Sequence, residues 1–168
     1  MMITQIENPT NASIVVSTEE GEIIIDPWFT DGIYDGTWHN FPRVTDSYKQ
    51  RILDSVDVCL ITHLHKDHFY INTLEVLSKE TKFVFPKTFG WQVIKSNLES
   101  NGFKNTILLD FLEDSISEAG FTIKAIPPLN TSGLDNQAEE NTLSIDGGFT
   151  LESNFCELKL VFLADNNL

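Results

Sequence analysis

Short apolar runs separated by turn residues dominate the chain, and most are too short for long helices. Ala12–Ser17 and Glu22–Ile25 are β-rich runs flanking Glu19-Glu20-Gly21, the pattern of a hairpin. Ile23-Ile24-Ile25 is too apolar for a strand with one wet face, which predicts a central position in a sheet. Asp26-Pro27 closes it, because proline cannot extend the ladder. Thr30–Pro42 (TDGIYDGTWHNFP) reads as a turn-rich aromatic loop. Asp46–Ser55 predicts a short helix with Tyr48, Ile52 and Leu53 on a partial apolar face. Val58–Ile61 predicts a short buried strand. Asn72-Thr73-Leu74-Glu75 has capping-box spacing and predicts a helix to about Ser78. Phe83–Phe85 predicts a strand; Thr88 is a candidate cap for a helix through Glu99, with Gly102 just past its end. Thr106–Leu109, Phe121–Ile126, Thr142–Ile145 and Leu158–Leu163 predict further strands, with Gly147-Gly148 as a hairpin turn and Asp135–Glu140 as a solvated acidic loop. The order is hairpin, then alternating helix and strand, then mostly strand. Two sheets with outer helices satisfy this α/β pattern, and so does one open sheet.

A length of 168 residues suits a single domain, 1–168. Lys and Arg number 11 against 25 Asp and Glu, a net charge of −14. That balance argues against nucleic acid and against an anionic membrane surface as partners, since both need a basic face. No run approaches the ~18 apolar residues of a membrane span. The N-terminal MMITQIENPT lacks the basic and apolar regions of a secretory signal. Cys59 and Cys156 both fall in strand-like runs without CxxC spacing, which predicts buried free thiols and a cytoplasmic protein.

The chemistry concentrates in Ile61-Thr62-His63-Leu64-His65-Lys66-Asp67-His68, where three of the four histidines fall within six positions. His63 and His65 are two apart at the end of an apolar strand, so alternation points both rings to one side. Two such nitrogens can hold one metal at ~2.0–2.1 Å. Asp67 and His68 follow where the strand gives way to a turn and can serve a second metal. Two ions ~3.5–4 Å apart can share a hydroxide that is nucleophilic near neutral pH.

The His-x-His-x-Asp-His segment resembles the HxHxDH signature of the metallo-β-lactamase fold superfamily. Ile23–Asp26 (IIID) is similar to the family strand whose terminal Asp precedes the signature. Val161–Asp165 (VFLAD) is similar to the later strand whose Asp bridges two metals. DPWFTDGIYDGTWHNFP is weakly similar to the lactonase-like and CMP-N-acetylneuraminate-hydroxylase-like branch. The resemblance implies a metallo-β-lactamase-like αβ/βα four-layer sandwich with metals at one edge between the sheets. It implies up to two divalent ions, zinc first and iron or manganese as alternatives. His63, His65, Asp67, His68 and Asp165 would be ligands. The implied reaction is hydrolysis of an ester, lactone, amide or phosphoester in a small-molecule substrate by metal-bound hydroxide, with Asp67 orienting it.

Two departures matter. No histidine follows His68, and Asn130 stands near the position of the family's third His. An amide oxygen is a poorer zinc ligand than imidazole, so the first site is expected to be weak. The family's last His is also missing, and part of the second half of the fold is expected to be absent. That would leave an exposed sheet edge open to pairing with another copy. The second reading is therefore a non-catalytic or partial domain acting as scaffold, subunit or fragment of a larger enzyme. Asp26 reads either as a residue orienting a ligand His or as a strand-ending turn residue. His39 reads as a substrate contact or an ordinary loop histidine. Trp28, Phe29 and Trp38 read as pocket lining or as loop packing.

Overall fold

The computed structural model describes residues 3–127 and 146–165. Strands β1 (Ile3–Glu7), β2 (Ile14–Thr18), β3 (Gly21–Ile25), β4 (Val56–Leu60), β5 (Lys82–Pro86) and β6 (Thr106–Leu109) form one six-stranded sheet in that spatial order. The first three strands run antiparallel and β3 through β6 run parallel. A second sheet of four antiparallel strands has the order β10-β9-β8-β7, from β7 (Ile116–Glu118), β8 (Phe121–Ile126), β9 (Gly148–Ser153) and β10 (Lys159–Phe162). Helices are α1 (Ile33–Gly36), α2 (Asp46–Ser55), α3 (Ile71–Leu74) and α4 (Trp91–Ser100).

The period-2 alternation of the strands assigns their side chains to two cores. Val15, Ile24, Cys59, Phe83 and Phe85 point one way and pack against Ile52 of α2 and Ile94 and Leu98 of α4. Val16, Ile23, Ile25, Val58, Leu60 and Val84 point the other way and meet Phe121, Ile123, Phe149 and Leu151 of the second sheet. Both faces of β3 are thus buried, which is why Ile23–Ile25 lacks a polar position. The layers are helix, sheet, sheet; among the described residues no helix covers the outer face of the second sheet. No helix of the described residues is long and apolar enough to cross a membrane.

Several local expectations are corrected. The first strand was not expected, because Ile3-Thr4-Gln5-Ile6-Glu7 carries a weak pattern; β7 is equally short of signal. Asn72 does not cap α3: the helix starts at Ile71 after Tyr70, and the Asn72 amide donates to the Tyr70 hydroxyl. Thr88 does not cap α4, which starts after Gly90. Gly90 has φ +81, and a Cβ there would lie 2.7 Å from Leu64 Cδ2. Gly148 is not in a turn but opens β9; a Cβ there would come within 2.3 Å of the Phe162 carbonyl oxygen, so only glycine lets β10 lie alongside. Of the two thiols only Cys59 is buried; Cys156 is exposed in the β9–β10 connection. Thr142–Ile145, Asp135–Glu140 and Asn130 lie outside the described residues.

Candidate metal centre

The parallel pairing of β3 with β4 puts Ile25 opposite Leu60, so the two chain ends that follow emerge side by side. Asp26 leaves β3 with φ 45, and its amide donates to the Leu60 carbonyl at 2.9 Å. Its carboxylate is buried, at 2% exposure, and collects the next segment. The Thr62 amide donates to Oδ1 at 2.8 Å and the Thr62 hydroxyl to Oδ2 at 2.6 Å. His68 Nδ1 lies 2.8 Å from the same Oδ2. His63 Nδ1 lies 3.0 Å from the Thr62 hydroxyl oxygen. That hydroxyl spends its proton on Asp26, so it accepts from His63 Nδ1. These partners fix the Nδ1–H tautomer of His63 and turn its Nε2 inward.

The inward atoms converge. His63 Nε2 is 2.8 Å from His65 Nδ1. Asp165 comes from the end of β10 with its two oxygens divided. Oδ2 faces His63 Nε2 at 3.5 Å and His65 Nδ1 at 3.6 Å, while Oδ1 lies 3.1 Å from His68 Nε2. Asp67 Oδ2 is 3.4 Å from His68 Nε2. The side opposite the strands is open: His63 and His68 are buried, whereas His65 and Asp165 are 51% and 48% exposed.

Sequence reasoning missed Asp146. It stands just before β9, and its Oδ1 lies 3.5 Å from His63 Nε2. It follows the apolar run Thr142–Ile145, as Asp26 follows β3 and Asp165 follows β10, and that shared pattern was the available signal. His63, His65 and Asp146 form one group of donors within 4.8 Å of one another, and His63, His68 and Asp165 form another. The residues fit a cation. Asp146 Oδ1 is buried without a hydrogen-bond partner among the described residues. A carboxylate oxygen withdrawn from water needs a compensating charge or donor. His63 Nε2 and His65 Nδ1, 2.8 Å apart, are hydrogen-bonded: with His63 protonated on Nδ1, its Nε2 accepts from His65 Nδ1.

Electrostatics follow the contacts. Burial, then the nearby His68 charge, pushes the His63 pKa down, which favours a neutral imidazole ready to ligate. Burial opposes a charge on His68, but hydrogen bonds to Asp26 and Asp67 outweigh it and lift the pKa to about 10. Burial likewise opposes the Asp67 carboxylate; hydrogen bonds from His68 and Tyr34 prevail and hold it well below the usual carboxylate range.

Three further sequence candidates, His39, Trp28 and Phe29, separate from the cluster. His39 is exposed, with Nε2 2.9 Å from the Gly36 carbonyl and Nδ1 3.9 Å from Asp31. Trp28 and Phe29 are buried packing residues, whereas half-exposed Trp38 lines a cavity of about 460 Å³ together with Asp67, His68 and Asp165. A second cavity of about 340 Å³ is lined by Tyr34, His63, Leu64, His65, Lys66 and Phe89.

Known proteins share this fold. Residues 5–165 match the family model described as "Beta-lactamase superfamily domain". The UPF0173 protein YddR of Bacillus subtilis (strain 168) is 31% identical over 151 residues, 83% of this chain and 52% of YddR. The chain thus spans about half the length of that relative. A solved structure described as a possible metal-dependent hydrolase from Veillonella parvula DSM 2008 superposes with a TM-score of 0.72 at 17% identity, covering 99% of this chain and 64% of that one. A mutant of the CmlA beta-hydroxylase gives a TM-score of 0.67 at 23% identity over 96% of this chain and 30% of that one. The two-sheet architecture and the match over residues 5–165 agree: the chain belongs to the beta-lactamase superfamily and has the metallo-β-lactamase fold.

Proposed function

We propose that this chain carries the metal centre of a hydrolase acting on a small molecule with an ester, lactone, amide or phosphoester bond. The observation that carries the reading is the divided Asp165 carboxylate, with one oxygen toward His63 and His65 and the other toward His68. His63, His65 and Asp146 would hold one ion, Asp67 and His68 a second, and Asp165 would serve both. A pair of divalent ions bound there supplies a hydroxide that is nucleophilic near pH 7. The chain's own residues do the positioning: Asp26 and Thr62 orient His63 and His68, and the open side beside His65 admits the substrate.

Three carboxylates with three imidazoles make an oxygen-rich donor set, which suits iron or manganese as well as zinc. The scaffold reading rests on the missing third and last histidines and the expected absence of part of the second half of the fold. Asp146 would give the first site a third ligand, the number that catalytic zinc sites normally use, which favours the hydrolase reading. The test is elemental analysis of protein purified without chelator, followed by hydrolysis assays on an ester, lactone and phosphodiester panel. Near two ions per chain and turnover abolished by chelator are expected. Absence of metal uptake together with absence of turnover would overturn the proposal.

A further inference from the structure

The short α1 segment contains two adjacent residues whose backbone is not helical. Tyr34 has φ 50 and ψ 60, and Asp35 has φ 58 and ψ 33. A bulky aromatic residue rarely adopts this left-handed region, and two adjacent non-glycine residues do so at a cost that other contacts must offset. Gly32 and Gly36 bracket the pair. The Gly32 amide donates to the Trp38 carbonyl at 2.9 Å, and the Thr37 hydroxyl donates to the Tyr34 carbonyl at 2.7 Å. The Tyr34 ring meets Trp38 edge-on at 5.2 Å.

This backbone delivers one polar atom to one place. The Tyr34 hydroxyl donates to Asp67 Oδ1 at 2.7 Å and accepts from the Lys66 amide at 3.1 Å. The other Asp67 oxygen, Oδ2, is the one facing His68 Nε2. Tyr34 therefore determines which carboxylate oxygen is committed and which is left for a cation.

Resting on the proposed metal centre, we infer that Tyr34 is a positioning residue for Asp67 that selectively tightens the second metal site. A ligand carboxylate that is itself hydrogen-bonded has fewer orientations to lose on binding. Partners of this kind typically change metal affinity roughly 10–100-fold. His63, His65 and Asp146 make no hydrogen bond to Tyr34, so the first site should not feel its loss.

The experiment is calorimetric titration of the chelator-stripped full chain with manganese(II), for wild type, Tyr34→Phe, Asp67→Asn and the double variant. Phe keeps the ring against Trp38 and removes only the hydroxyl. The wild type should bind in two steps. Tyr34→Phe should weaken the second step roughly 10–100-fold and leave the first within about twofold. Asp67→Asn should weaken the second step, and adding Tyr34→Phe to it should do nothing more. An unchanged second step in Tyr34→Phe overturns the inference, as does equal weakening of both steps with a lowered melting temperature of the stripped protein. A wild type that takes up no manganese overturns the proposed metal centre itself, and this inference with it.

Discussion

Asp146 Oδ1 lies 3.5 Å from His63 Nε2 and meets no hydrogen-bond donor among the described residues. A carboxylate from one sheet is thus aimed at an imidazole from the other, in the region where the sequence offers no third histidine. Asp146→Ala should abolish metal uptake at the first site, leaving about half the wild-type content by elemental analysis. Asp146→His should retain uptake and raise the zinc-to-manganese ratio in competitive dialysis, because imidazole favours zinc more than carboxylate does.

Asp26 holds Thr62 through two hydrogen bonds and His68 through a third. Asparagine tolerates the same positive φ, so Asp26→Asn tests the charge and the acceptors rather than the backbone. Leaving buried donors without an acceptor costs ~1–3 kcal/mol. Urea denaturation of the metal-free variant should show a loss of that order, and its second metal should bind more weakly.

His68 provides a pH test. Its folded pKa of about 10 lies above the ordinary value of 6.5. A raised histidine pKa contributes stability that is fully present below the unfolded value and is lost as pH rises through the folded one. Metal-free wild type should therefore exceed metal-free His68→Gln in stability by most near pH 6. The gap should close as pH passes about 10. Denaturant midpoints across that range check the sign.

Gly148→Ala would drive a methyl group to 2.3 Å from the Phe162 carbonyl oxygen, a backbone atom that cannot swing aside. Overpacking of this kind costs ~1–3 kcal/mol. Because β10 carries Asp165 at its end, thermal melts should show lower stability, and titration should show weaker metal binding.

Legibility in the sequence followed the strength of the local pattern. Asp46–Ser55 was readable from the partial apolar face of Tyr48, Ile52 and Leu53, and the structure adds the Thr45 cap that starts it. The central place of β3 was readable because isoleucines fill both of its faces. The cluster His63, His65, Asp67, His68 was readable because a strand end followed by a turn brings near neighbours together. Asp146 was not readable as a donor, since its approach to His63 spans 83 positions and depends on how two sheets pack. Tyr34 was hidden for another reason: an unusual backbone conformation aims it, and no residue pattern announces that in a loop already rich in glycine and aromatics.

The proposed donors come from both sheets. His63, His65, Asp67 and His68 follow β4, whereas Asp146 precedes β9 and Asp165 follows β10. An ion they shared would act as a rivet through the sandwich, because prising the sheets apart would strip its coordination. Ligand linkage then adds ~2.7 kcal/mol to folding stability when free metal stands at 100 times its dissociation constant. Amide exchange in β9 and β10 becomes a gauge of occupancy, slowing as ions bind and quickening under chelation. A centre placed to activate water would also set how long the second sheet stays docked on the first.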